Sequence, residues 1–287
     1  MTHSPLASPT ATRDVLARHG LATKKALGQH FLVDDNVVGR ILDLAALDGT
    51  ETVLEVGPGI GTLSVALCGA AEAVVAVERD DDLLPVLADT TADCDRFAVV
   101  SADAVAVTAE QLSAPFGPPV ALVANLPYQV AATVVLRVFE SFTSIDTATV
   151  MVQAEVADRM AASPGSKDYG AYTVKLALRA QVAGRFNVGP GCFFPPPRVE
   201  SAVIRLDRRE DGLDEATLQA AARVAESAFA QRRKTLRNSL KATSGYSAVQ
   251  IDGALEAVGI DGRMRAETLE PEAFVRIARA LATAHPA

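Results

Sequence analysis

Asn125-Leu126-Pro127-Tyr128 places a carboxamide, main-chain carbonyls and an aromatic ring within one short stretch. A flat base can stack on the ring while its exocyclic amine donates to the oxygens. We read the stretch as a methyl-acceptor site. An adenine amine is a poor nucleophile because its lone pair is delocalised into the ring. Acceptors facing both N–H bonds favour a more tetrahedral nitrogen, and holding that nitrogen beside an activated methyl removes much of the entropic barrier. The Asn125 side-chain oxygen and a main-chain carbonyl of Leu126 or Pro127 are the candidate acceptors, and Tyr128 is the stacking ring. No general base is needed. A paired base cannot reach such a site, so the target is unpaired or flipped out.

The elements around the stretch must hold it at a rim. Residues 120–124 are a short, Val-containing apolar run that suits a buried parallel strand, and residues 130–139 suit a helix. Pro127 fixes its own φ and biases Leu126 away from the helical region. In an open parallel sheet, ligands bind outside the carboxyl ends of the strands.

Other strand ends carry complementary chemistry. Residues 52–56 run into Gly57-Pro58-Gly59-Ile60-Gly61 and then an apolar helix at 63–67. Glycines there let a ligand approach the backbone. The pattern Glu-x-Gly-x-Gly-x-Gly differs from the dinucleotide fingerprint and points to S-adenosylmethionine, which has no pyrophosphate. The next run, 73–77, ends at Glu78, which lies 78 − 59 = 19 positions after Gly59 and is placed to accept from a ribose diol. A third run, 97–100, ends near Asp103, a partner for the cofactor's adenine amine; either acid can alternatively cap the helix that follows it.

Residues 24–32 read as an exposed loop with a basic edge, Lys24 and Lys25, and with Phe31 and Leu32 tucked inward. Asp34 or Asp35 caps a helix with apolar positions 37, 38, 41, 42 and 45. Residues 1–12 read as a disordered Ser/Pro/Thr/Ala tail, and Asp14 as the cap of a short helix that stops at Gly20. Farther on, residues 149–153 and 171–182 read as strands, and 199–206 as an edge hairpin closing the sheet. Phe193 precedes a stiff proline-rich segment; its ring either lines the wall opposite Tyr128 or packs in the core.

After residues 208–212 no strand-like run remains, which divides the chain into an α/β domain at 13–207 and a small all-α domain at 208–287. A helix over 223–241 would put Arg233, Arg237 and Lys241 on one face at i, i+4 and i+8, flanked by Arg232 and Lys234. Such a stripe is either a solvated face or a grip on RNA phosphates that Lys24 and Lys25 extend.

The whole chain bounds these readings. Its 287 residues are 49% hydrophobic and 22% charged, with a formal net charge of −8, so any nucleic-acid contact must come from local basic patches. No apolar run reaches membrane-spanning length and no signal-peptide pattern opens the sequence, which predicts a cytoplasmic protein. Cys68, Cys94 and Cys192 form no Cys-x-x-Cys pair and signal neither zinc nor a disulfide framework.

Over nearly all of residues 13–283 the chain resembles the ribosomal RNA adenine N6,N6-dimethyltransferase family, in its small-subunit (16S) branch. The carriers are Leu27-Gly28-Gln29-His30-Phe31-Leu32, Glu55-Val56-Gly57-Pro58-Gly59, Glu78-Arg79-Asp80, Asn125 to Tyr128, Ser166-Lys167-Asp168-Tyr169-Gly170, the stretch 193–203 and the stretch 231–238. The resemblance implies a Rossmann-like class I methyltransferase domain and a cofactor site at His30, Leu32, Gly57, Glu78, Asp103 and Asn125, to which the glycine reading adds Gly59. It implies transfer of four methyl groups from S-adenosylmethionine to N6 of two neighbouring adenosines in a hairpin loop near the 3′ end of 16S rRNA, with a role in small-subunit biogenesis; a monomer is expected. Ala154 stands where many relatives have Lys, which removes one basic contact. The rival readings are the related large-subunit enzyme of macrolide resistance, which typically lacks the 231–238 stretch, a non-catalytic RNA-binding assembly factor, and a small-molecule methyltransferase.

Overall fold

A computed structural model describes residues 2–23, 29–210, 212–231 and 233–283. In chain order its elements are α1 (Pro9–Arg18), β1 (Phe31–Leu32), α2 (Asp35–Ala45), β2 (Thr52–Val56), α3 (Thr62–Cys68), β3 (Ala73–Glu78), α4 (Leu84–Thr90), β4 (Phe97–Ser101), α5 (Ala109–Ser113), β5 (Ala121–Asn125), α6 (Ala131–Ser141), β6 (Thr147–Gln153), α7 (Ala154–Met160), α8 (Ala171–Ala177), β7 (Ala180–Val188), β8 (Phe193–Phe194), β9 (Ser201–Arg208), α9 (Glu215–Phe229), α10 (Leu236–Thr243), α11 (Ala248–Ala257) and α12 (Pro271–Thr283).

The apolar runs at the centre become strands β2, β3 and β5 buried on both faces, as helix-covered parallel strands must be, while β4 at the end of the sheet is half-buried. All residues of β3 are buried. The main sheet runs β4-β3-β2-β5-β6-β9-β7, with β2 parallel to β3 and β5, β3 parallel to β4, and β5 parallel to β6. In this sheet β9 runs antiparallel to β6. A second, two-stranded sheet pairs β1 with β8.

Several expectations need correction. The first twelve residues are not a tail: Ser8 caps α1, accepting from Ala11 N–H at 3.1 Å with Pro9 in the first turn, and Thr12, Val15 and Leu16 are buried. The helix therefore starts before Asp14, because Ser-Pro supplies both a cap oxygen and a preset φ. Asp35 fastens the segment ahead of it, accepting from the backbone N–H of His3 at 3.0 Å and of Ser4 at 2.8 Å. Asp34, not Asp35, caps α2. Strand β9 is not an edge, since it lies between β6 and β7.

The boundary near residue 208 is also incomplete. By contact the chain forms one unit from Met1–Ala157 with Val182–Arg208 and another from Asp158–Gln181 with Arg209–Ala287. Residues 171–182, read as one strand, are α8 followed by the start of β7. Val174 and Leu178 sit one helical turn apart and enter the core of the second unit with Ala221, Val224, Leu240 and Phe274. Apolar side chains at every second residue from 174 to 182 fit a strand as well, and burial against α9 decides the matter. In the same core Tyr169 donates to the Leu269 carbonyl at 2.8 Å. Among the described residues no helix is long and apolar enough to cross a membrane, and no cluster of His, Cys, Asp and Glu is arranged to hold a metal ion.

In the first unit, Arg208 closes the end of α6. Its guanidinium donates to the carbonyls of Phe139 at 3.0 Å, Phe142 at 2.9 Å and Ile145 at 2.8 Å. Cationic donors at a helix C-terminus satisfy carbonyls that have no intrahelical partner. Arg208→Ala should lower unfolding free energy by about 2–3 kcal/mol in urea titrations, with Lys restoring little because it lacks the planar fork.

Candidate active site

Parallel pairing brings the carboxyl ends of β2, β3, β4 and β5 to one edge of the sheet, and the loops leaving them wall a cavity of about 270 Å³. That is near the lower end of small-molecule sites. His30, Leu32, Gly57, Gly59, Glu78, Asp103, Asn125, Leu126, Pro127 and Tyr128 all line it. Residues separated by nearly a hundred positions in sequence thus meet in one site.

Backbone shape makes the floor. Gly57 has φ +70°, and a Cβ there would lie 3.1 Å from Pro127 Cγ and Cδ, so the glycine loop and the acceptor turn are in contact. Gly59 has φ +63°, and its Cβ would meet the Phe31 ring at 3.1 Å. Both positions require glycine for conformation and for space.

Glu78 is buried and held by three main-chain donors: Gly59 N–H at 3.3 Å on one oxygen, Arg79 and Asp80 N–H at 2.8 Å each on the other. Burial raises its pKa, and these donors work against that rise. A carboxylate has about four acceptor sites, so one remains for a ligand hydroxyl. Asp103 Oδ1 accepts from Val105 N–H at 2.9 Å, and Oδ2 lies 3.4 Å from Arg79 at the exposed side of the cavity. Glu55, which the sequence reading left without a role, is 1% exposed in the wall. Ser64 Oγ donates to it at 2.6 Å. Burial, with the nearby Glu78 carboxylate adding to it and the Ser64 bond opposing, pushes its pKa up to about 8. Thr62 also lines the cavity, and its buried hydroxyl has no partner among the described residues. Only its place after Gly61 in the glycine loop could have flagged it.

The acceptor turn is fixed by a short network. Asn125 Nδ2 donates to the His30 carbonyl at 3.4 Å. A carbonyl can only accept, which sets the amide orientation and leaves Asn125 Oδ1 for an N–H donor. The His30 ring lies on Tyr128 with centroids 5.8 Å apart and planes at 26°, and His30 Nδ1 donates to the Pro195 carbonyl at 2.7 Å. Tyr128 shares a 2.6 Å hydrogen bond with Ser201. The Pro127 carbonyl already accepts from Val130 N–H at 3.1 Å.

Phe193 does not join this wall. It is 3% exposed, pairs with Leu32 across the β1–β8 ladder and packs in the core with Val37 and Ile41, because strand alternation turns it inward. The basic residues are not gathered into one stripe. Helix α9 ends at Phe229 and α10 begins at Leu236, so Arg233 and Lys234 fall in the intervening turn, where both are exposed. On α10 the Arg237 guanidinium pairs with Asp252, and Lys241 Nζ lies 3.9 Å from the same carboxylate. Lys24, Lys25 and Arg232 lie outside the described residues.

The cavity fits a ligand with polar groups at both ends. Gly57 and Gly59 leave room at the backbone, Glu78 can accept from a diol, and the orphaned Thr62 hydroxyl wants a polar partner. Fold and site together define a class I S-adenosylmethionine-dependent methyltransferase. A family model described as ribosomal RNA adenine dimethylase matches residues 20–283. The chain belongs to that family. It is 43% identical to Ribosomal RNA small subunit methyltransferase A of Rhodococcus erythropolis, over 95% of this chain and 93% of that protein. It is 40% identical to the protein of the same name from Geobacillus thermodenitrificans, over 97% and 98%. Among solved structures, a dimethyladenosine transferase from Plasmodium falciparum shares the fold with a TM-score of 0.74 at 21% identity, covering 86% of this chain and 96% of that one. The 23S rRNA methyltransferase ErmE aligns with a TM-score of 0.65 at 27% identity, covering 88% and 99%.

Glu55 makes the fold pH-sensitive in a defined direction. Its carboxyl is neutral in the folded protein up to about pH 8 but ionises near 4.5 when unfolded. The folded state therefore holds one more proton across that window, and this group's contribution to stability declines as pH rises through it, by at most about 1.4 kcal/mol per pH unit. In Glu55→Gln the fall in thermal midpoint between those limits should flatten, as measured by calorimetric scans at several pH values.

Proposed function

We propose that this enzyme transfers methyl groups to N6 of two adjacent adenosines in a hairpin loop near the 3′ end of 16S rRNA, giving N6,N6-dimethyladenosines, in the cytoplasm, as a monomer and during small-subunit biogenesis. The observation that carries the reading is the orientation of Asn125: its amide nitrogen is taken by His30, so its oxygen is left to receive an adenine N–H beside the Tyr128 ring. The Leu126 carbonyl is the second acceptor, because that of Pro127 is engaged by Val130. Tyr128 stacks on the base, an interaction worth about 1–3 kcal/mol. When bound, S-adenosylmethionine supplies an electrophilic methyl on a sulfonium. Glu78 holds its ribose, Asp103 its adenine, and the glycine loop, His30 and Leu32 enclose the rest. Phe193 takes no part, since its ring is in the core. The small-subunit target is supported by 43% identity over almost the whole chain to proteins named for it, against 27% for ErmE.

RNA phosphates are gripped by exposed Arg233 and Lys234, with Lys24, Lys25 and Arg232 as further candidates. Arg237 and Lys241 contribute less, because Asp252 neutralises part of their charge.

Asn125→Ala and Tyr128→Ala should each reduce methyl incorporation into unmethylated small-subunit particles by at least a hundredfold (order of magnitude, from the positioning they lose), with the fold intact by circular dichroism. Near-normal turnover of either would remove the turn from the mechanism. Reversing Arg233 and Lys234 to Glu should weaken RNA binding and reduce the slope of log affinity against log salt by about 1–2; filter binding across a salt series measures it, and an unaltered slope would reject the grip.

A further inference from the structure

Tyr128 sits in the turn between β5 and α6, outside any ladder that would fix its ring. What fixes it is a buried hydroxyl from a distant strand. Ser201 is 0% exposed and opens β9, where it pairs with Gln153 at the end of β6. The neighbouring Glu200 carbonyl accepts from Ala154 N–H at 2.9 Å, so the backbone on this side is anchored as well. Because β9 runs antiparallel, its first residue lies at the edge where the parallel strands end, beside the acceptor turn. From there Ser201 Oγ meets Tyr128 Oη at 2.6 Å. A serine at a fully buried position costs stability unless its hydroxyl is bonded, and this bond is the one its side chain makes among the described residues. Burial keeps the Tyr128 phenol protonated, and Ser201 moderates that rise, so the pair retains protons to share.

Dimethylation places an unusual demand on the ring. In each transfer the N6 lone pair forms the new N–C bond, the S–C bonding pair stays on sulfur as a neutral thioether, and N6 releases one proton to solvent. After the first transfer the amine must turn about its C6–N6 bond while spent cofactor is exchanged for fresh. Throughout that interval the base is retained by stacking on Tyr128.

We propose that Ser201 is a positioning residue for the second methyl transfer: it locks the Tyr128 ring so that the monomethylated adenine stays seated until the donor is renewed. The idea rests on the reading of Tyr128 as the stacking ring. His30 braces the ring from its face, and Ser201 sets its tilt through the hydroxyl.

The test uses the full-length enzyme, unmethylated small-subunit particles and a limited number of turnovers, with N6-monomethyl- and N6,N6-dimethyladenosine separated by nucleoside mass spectrometry. Ser201→Ala should raise the ratio of mono- to dimethyl product about three- to tenfold, the range expected for one lost hydrogen bond. Its calorimetric affinity for S-adenosylmethionine should be unchanged. Ser201→Thr should restore the ratio, Tyr128→Phe should reproduce the Ser201→Ala value, and the double variant should go no further. An unchanged ratio in Ser201→Ala and Tyr128→Phe, or additive effects in the double variant, would overturn the proposal. Tyr128→Ala separates the two failures: if it is inactive while Ser201→Ala and Tyr128→Phe match wild type, the turn stands and only the role of Ser201 falls. If Tyr128→Ala turns over normally, the stacking reading itself is wrong.

Discussion

Contact between the glycine loop and the acceptor turn is the constraint on which the rest of the site depends. Strands β2 and β5 are parallel neighbours in the sheet, so the loops leaving them emerge side by side, and the missing Cβ of Gly57 lets the Pro127 ring close to van der Waals distance. Groups bound on the two loops would then be neighbours without any moving part. Adding β3 and β4 on the same side brings Glu78 and Asp103 to that mouth. The antiparallel β9 delivers Ser201 from the opposite chain direction. Strand direction, more than any side chain, decides what can meet there.

Electrostatics in the cavity follow from depth. Glu55 and Glu78 are both buried and repel one another, and two ionised carboxylates at such depth would be costly. The fold resolves this unequally. Glu78 receives three main-chain N–H donors, whereas Glu55 has one hydroxyl and stays neutral near pH 7. The wall therefore sets a carboxylate held by main-chain donors, Glu78, beside a neutral one, Glu55. Outside the cavity the same balance governs the basic residues: Asp252 draws in Arg237 and Lys241, while Arg233 and Lys234 in the turn after α9 are exposed.

The second unit shows how burial overrides local pattern. Residues 171–182 carry apolar side chains at every second position, yet Val174 and Leu178 are needed together on one side to complete the core of α9 and α12. Helix and strand would both place 174 and 178 on one face, so it is packing against α9 that selects the helix. The same segment draws residues 158–181 into a unit whose other residues lie beyond 208, an exchange of chain between units that no local composition change marks.

The sequence by itself determined the elements whose signals are local. Val-containing runs followed by Gly57, Glu78, Asp103 and Asn125 specify parallel strands with polar or glycine residues at their tips, because the apolar run and the residue that ends it are written in neighbouring positions. A cap at Asp34 or Asp35 and the turn at Pro127 are local in the same sense, although the structure was needed to choose Asp34. Tertiary structure alone decided which direction side chains take once distant segments meet. Pairing of β1 with β8 turned Phe193 into the core, a break between α9 and α10 took Arg233 off the face of Arg237, burial made Glu55 neutral, and the Ser201 hydroxyl acquired meaning only beside Tyr128, 73 positions away in the chain. Periodicity records which residues share a face of one element; what that face touches is fixed by packing, and hydrogen-bond partners and pKa values follow from it.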